Sequence, residues 1–129
     1  MNRLLFASAL LGFLSVVIGA AAEHVLRPGL EDETWRWVLT AIRYHQVGSL
    51  AAFGIGLSTL VDLGPVRLKR LRFAGWLFVF GTILFSFSIY TAAMTGVTAL
   101  TYATPVGGIT LMIAWLAVGR AALLPSHAG

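Results

Sequence analysis

Apolar residues do not alternate along this chain but arrive in four long blocks, about Leu4–Ala22, Val38–Val61, Phe73–Thr95 and Thr104–Leu124. Each block, wound as a helix rising about 1.5 Å per residue, is long enough to cross a hydrocarbon layer about 30 Å thick. The pattern predicts an all-α polytopic membrane protein, an antiparallel four-helix bundle filling residues 1–129 as one domain. Between the first two blocks, Arg27-Pro28-Gly29 ends a helix and turns the chain. The acidic start of Leu30–Leu39, followed by Trp35 and Trp37, predicts a short interfacial helix before the second span.

Small residues within the blocks predict where helices approach closely. Ser8, Gly12, Ser15 and Gly19 mark one side of the first span, and Gly48, Ala52 and Gly56 form a four-residue repeat in the second. Asp62-Leu63-Gly64-Pro65 caps and breaks the second span. Gly96–Tyr102 is a short link, so the last two spans are expected to be antiparallel neighbours. Thr104-Pro105 has the form of an N-cap followed by proline, and Gly107 and Gly108 permit close backbone approach.

Composition strengthens this picture. Of 129 residues, 58% are hydrophobic and 11% charged, whereas about a quarter of an ordinary soluble chain is charged. Arg3 and an apolar run ending in Gly19-Ala20-Ala21-Ala22 imitate a cleavable signal peptide, but the run is long for one, and a retained helix is expected. A net charge of +4 raises the question of nucleic acid, yet the cations cluster at Arg67, Lys69, Arg70 and Arg72, without interleaved aromatics. This cluster reads as a loop on the cytoplasmic side that contacts lipid phosphate. Arg3, those four and Arg120 make six cations on one side. Arg27, Arg36 and Arg43 make three on the other, so both termini are expected inside the inner membrane. The chain has no cysteine, which excludes disulfides and thiol chemistry.

Polar side chains in or near a membrane are costly, so their clustering is the best pointer to a site. At the non-cytoplasmic end the pattern brings together Glu23, His24, Arg43, Tyr44, His45 and Gln46 with Tyr90, Thr91, Tyr102 and Thr104. The structural reading is a buried Glu23–Arg43 ion pair braced by histidine and tyrosine; the functional one is a small pocket or proton relay using His24 and His45. A zinc or iron site from Glu23, His24, His45 and Glu31 lacks ligand spacing on one helix, so no metal or other cofactor is expected. Ser86 and Tyr90 stand one helical turn apart, but no GxSxG elbow accompanies them and no complete catalytic constellation exists. His127, beyond Pro125, reads as a solvated tail residue.

Phe85-Ser86-Phe87-Ser88-Ile89-Tyr90, then Gly96, then Thr104-Pro105-Val106-Gly107-Gly108 with Trp115, resembles the YgdD/YwdK-like family of small bacterial inner-membrane proteins, related to eukaryotic transmembrane protein 256. Gly19-Ala20 with His24 and Leu26 resembles that family's first-span ending. Glu23, Val25 and Gly48 depart from it, the last standing where histidine is common. The resemblance carries no activity. Its motif positions here are Ser86, Ser88, Pro105, Gly107 and Gly108. The expected role is a non-enzymatic accessory protein that packs against membrane lipids, a larger membrane complex or itself. Its alternative is a small-solute or ion transporter or channel, formed by oligomerisation around the polar cluster.

Overall fold

The computed structural model describes residues 1–125, so His127 lies outside the described residues. Among the described residues all regular structure is helical, in four rods. The first is α1 (Arg3–Ala21), extended by a π-turn at Ala22–Leu26 and a 3₁₀ turn at Arg27–Gly29. The second is α2 (Asp32–Ser58), a single uninterrupted helix. The third is α3 (Pro65–Thr82), a π-turn at Ile83–Phe87 and α4 (Ser88–Thr95); the fourth is a 3₁₀ turn at Thr98–Tyr102 running into α5 (Ala103–Ala122).

Among the described residues, three stretches are long and apolar enough to cross a membrane: Arg3–Gly29, Pro65–Thr95 and Thr98–Ala122. Helix α2 has the length but not the composition, because Asp32, Glu33, Arg36, Arg43, His45 and Gln46 lower its hydropathy. The separate interfacial helix does not form. Glu31, in extended conformation, opens α2 directly, and nothing near Leu39 interrupts the backbone hydrogen bonding. The basic cluster is likewise not a loop. Gly64 takes φ 72°, Pro65 occupies the first turn, and α3 starts there, so Arg67, Lys69, Arg70 and Arg72 lie on helix.

Helix α2 packs against α1 on one side and α3 on the other, while α3 packs on α5. Small residues set these distances. A Cβ on Gly48 would overlap the Thr82 side chain, one on Gly56 would come 3.0 Å from Leu5 Cα, and one on Gly75 would press Leu4 and Ile55. The repeat Gly48, Ala52, Gly56 therefore seats α2 on two neighbours. The largest buried cluster, with Leu4, Leu11, Ala52, Ile55, Phe78, Val79 and Leu111, fills the half nearer Met1. Asn2 locks that end: its Oδ1 accepts from Leu5 N as an N-cap, and its Nδ2 donates to Gly56 O and Thr59 Oγ1. Arg67 donates to the Leu124 carbonyl there, tying α3 to the end of α5.

Outward positions are apolar too. Phe6, Phe13, Leu50 and Leu116 are each more than 60% exposed, and the buried positions include Ser8, Ser15, Ser49, Thr82 and Ser86. A water-soluble domain sorts these residue types the other way round. Lipid-facing apolar side chains and small or hydroxylated helix contacts are the membrane arrangement.

Candidate functional site

The polar residues meet inside the bundle, on the inner face of α2. The periodicity of α2 buries Val38, Ala41, His45, Gly48, Ser49 and Ala52 together. The third rod supplies the other half. Its π-turn adds one residue to the helical repeat, and such widenings recur at functional sites. Here Ser86 faces α2, where its Oγ donates to the Ala41 carbonyl at 2.7 Å, with both groups buried. One turn on, Tyr90 OH and His45 Nδ1 share a hydrogen bond of 3.2 Å. Phe87 borders both rings, its centroid 5.2 Å from His45 and 5.5 Å from Tyr90.

His45 is fully buried, and its Nε2 has no hydrogen-bond partner among the described residues. If Nδ1 accepts from the tyrosine, Nε2 carries the proton, with the Leu11 backbone on α1 the group that bears on the ring; in the other tautomer Nε2 is an acceptor. Thr82 Oγ1, also buried and unpartnered, rests against the Cα side of Gly48. Ser88 Oγ donates to Phe85 O at 2.9 Å and lies 2.7 Å from Thr104 Oγ1, which joins the third and fourth rods. A Cβ on Gly107 would overlap the Phe85 backbone, so α5 approaches the π-turn to within glycine-only distance. Gly108 has ordinary room beside the Phe85 ring.

The expected cluster is therefore divided. His45 and Tyr90 meet; Thr104 meets Ser88; Glu23, His24, Arg43 and Tyr44 are exposed and join neither group. Glu23 does not pair with Arg43. It pairs with Arg27 at 2.9 Å, one turn along its own rod, because the helical path continues through the π-turn to Gly29. Tyr44, about 100° round α2 from His45, packs instead on Phe85 with centroids 4.7 Å apart. Thr104 is not an N-cap: Tyr102 precedes α5 in helical conformation, and Thr104 and Pro105 already lie in the first turn. Among the described residues no group of three or more His, Asp or Glu side chains stands close enough to hold a metal ion. Sequence reasoning passed over Ala41, Thr82 and Asn2. The lone hydroxyl of Thr82 within an apolar run, and a cap residue just before the first block, were the available signals.

A family model described as "Protein of unknown function (DUF423)" matches residues 18–108, which include α2, both π-turns and the His45–Tyr90 contact. A UPF0382 membrane protein of Haemophilus influenzae is 33% identical over 117 residues, covering 91% of this chain and 90% of the relative. The UPF0382 membrane protein YwdK of Bacillus subtilis is 30% identical over 125 residues, covering 95% and 98%. The UPF0382 inner membrane protein YgdD of Escherichia coli K12 is 29% identical over 118 residues, covering 87% and 82%. No solved structure matches this chain. With the inside-out distribution of its side chains and three membrane-capable stretches, the chain is a membrane protein of the DUF423 family, similar along most of its length to the UPF0382 proteins YgdD and YwdK.

Proposed function

We propose that this protein is a small accessory component of the inner membrane, working through its outer faces on lipid or on other membrane subunits, without catalysis. In this reading α2 is the fourth crossing, shielded along its polar side by α1 and the third rod, and both termini are cytoplasmic. The cations support the orientation: Arg3, Arg67, Lys69, Arg70, Arg72 and Arg120 gather at one end of the rods.

One observation carries the reading: the axis of the bundle is filled with side chains. Gly48 on Thr82, Gly81 on Leu111 and Gly107 on Phe85 bring the helices to near-contact, and the His45–Tyr90 pair lies between α2 and the third rod. A conduction path needs a water-lined route with sites weak enough to leave. Transport by an oligomer is the second reading, and the unpaired Nε2 of His45 is the feature that favours it.

Purified protein in vesicles separates the two. The accessory reading expects ion and proton flux equal to that of empty vesicles, together with a stable co-purifying membrane component in mild detergent. A flux that disappears in His45→Ala, with the variant still folded, contradicts it.

A further inference from the structure

The outer face of the bundle is not uniform. Between α2 and α5 runs a groove of about 590 Å³, floored by the π-turn and α4, with Trp37, Thr40, Phe85, Ile89, Thr104 and Ile109 among its walls. Its lining is almost wholly apolar, with hydroxyls from Thr40, Thr101 and Thr104. A second cavity, of about 220 Å³, shares Phe85, Gly108 and Met112 with it and extends the trough toward Trp115.

Charge lies along one edge of this groove. Arg36, Thr40 and Arg43 stand at i, i+4 and i+7, so two exposed arginines flank a groove-lining residue on one face of α2. Arg36 has Asp32 and Glu33 one turn away. Arg43 has Leu39, Thr40, Gln46 and Val47 at the same separations, and among the described residues it makes no ion pair. A cation there is expensive in hydrocarbon unless it finds an anion. Arg43 lies six residues from Trp37, about 9 Å along the helix. Side chains on a helix lean toward its N-terminus, here the Trp37 end, so the guanidinium can snorkel to headgroup depth.

We propose that this groove is a binding site for one anionic glycerophospholipid of the non-cytoplasmic leaflet, with an acyl chain lying in the trough and the phosphate held by Arg43, assisted by Arg36. The proposal rests on the membrane-embedded reading above and adds to it the class of lipid. Apolar volume and unpaired charge adjoin each other here, as a single amphiphile requires. Guanidinium recognition of phosphate oxygens supplies the selectivity.

The test uses full-length protein in mixed micelles of equimolar dioleoyl phosphatidylglycerol and dioleoyl phosphatidylcholine, with co-isolated lipid counted by native mass spectrometry. Wild type should retain phosphatidylglycerol over phosphatidylcholine by about fivefold, the ratio expected for one basic side chain near the membrane surface. Arg43→Gln should bring the ratio to about one without lowering helicity, Arg43→Lys should restore most of it, and Gly108→Leu, which projects into the trough, should reduce both lipids together. No preference in wild type, or an unchanged preference in Arg43→Gln, overturns the proposal. So does photo-crosslinking from position 109 to a protein, or to a second copy, in place of lipid. Release of the protein from membranes by alkaline carbonate would instead defeat the membrane-embedded reading itself, so the two failures are distinguishable.

Discussion

Two five-residue π-turns occur among the described residues, at Ala22–Leu26 and Ile83–Phe87, and they are used in opposite ways. The first ends a rod. Apart from Ala22, its residues are exposed or half-buried, and an exposed Glu23–Arg27 pair spans it, with Arg27 5.6 Å from the Trp35 ring centroid. The second lies inside a rod, against two neighbours at once. There Ser86 reaches the Ala41 carbonyl on α2 and the Phe85 backbone receives Gly107 of α5. The same local widening is a helix ending in one place and a three-way junction in the other. What separates them is tertiary contact, which the local sequence does not encode.

That difference predicts a graded series of effects, measured by thermal unfolding in detergent. Gly107→Val places a branched side chain against the Phe85 backbone, which cannot move aside as a flexible side chain would, and should cost about 3 kcal/mol. Equal stability of this variant and wild type would remove the junction from the account. Ser86→Ala deletes the buried bond to Ala41 and should cost about 1 kcal/mol, within the range for hydrogen bonds between membrane helices. Tyr90→Phe takes the hydroxyl partner from His45 Nδ1 and should cost about 0.6 kcal/mol; a nuclear magnetic resonance signal from the His45 ring would sharpen the result by reporting its changed hydrogen bonding. Glu23→Gln, in the exposed turn, should shift stability by less than about 0.5 kcal/mol, and this small effect should fade in high salt.

Much of the fold was legible because its signals are local. Block length gave the rods, and the size of Gly48, Ala52, Gly56 and Gly107 gave the close contacts. The site was legible only in part. His45 and Tyr90 are both legible in the sequence, but a second span beginning at Val38 groups them with Glu23 and His24 by depth alone. In the structure α2 begins at Asp32, so His45 lies near the middle of a 27-residue helix rather than at the end of the bundle. Glu23 has its partner Arg27 four residues on rather than the distant Arg43, a spacing that needs only the helix to continue past Ala22. The π-turn at Ile83–Phe87 changes which residues face α2, and no hydrophobic periodicity announces it. The hydroxyl of Ser88, just past that π-turn, meets Thr104, whereas it is the 3₁₀ turn at Thr98–Tyr102, running straight into α5, that excludes Thr104 from the cap.

Among the described residues, α2 is the rod whose composition does not by itself declare a crossing, and the four-crossing arrangement depends on it. The absence of cysteine makes this directly measurable, since single cysteines can be introduced without background. In intact inverted and right-side-out vesicles, cysteines at positions 33 and 62 should react with a membrane-impermeant maleimide from opposite faces, and one at 97 should label with 33. Labelling of 33 and 62 from the same face would mean that α2 does not cross, and the four-crossing arrangement would be contradicted.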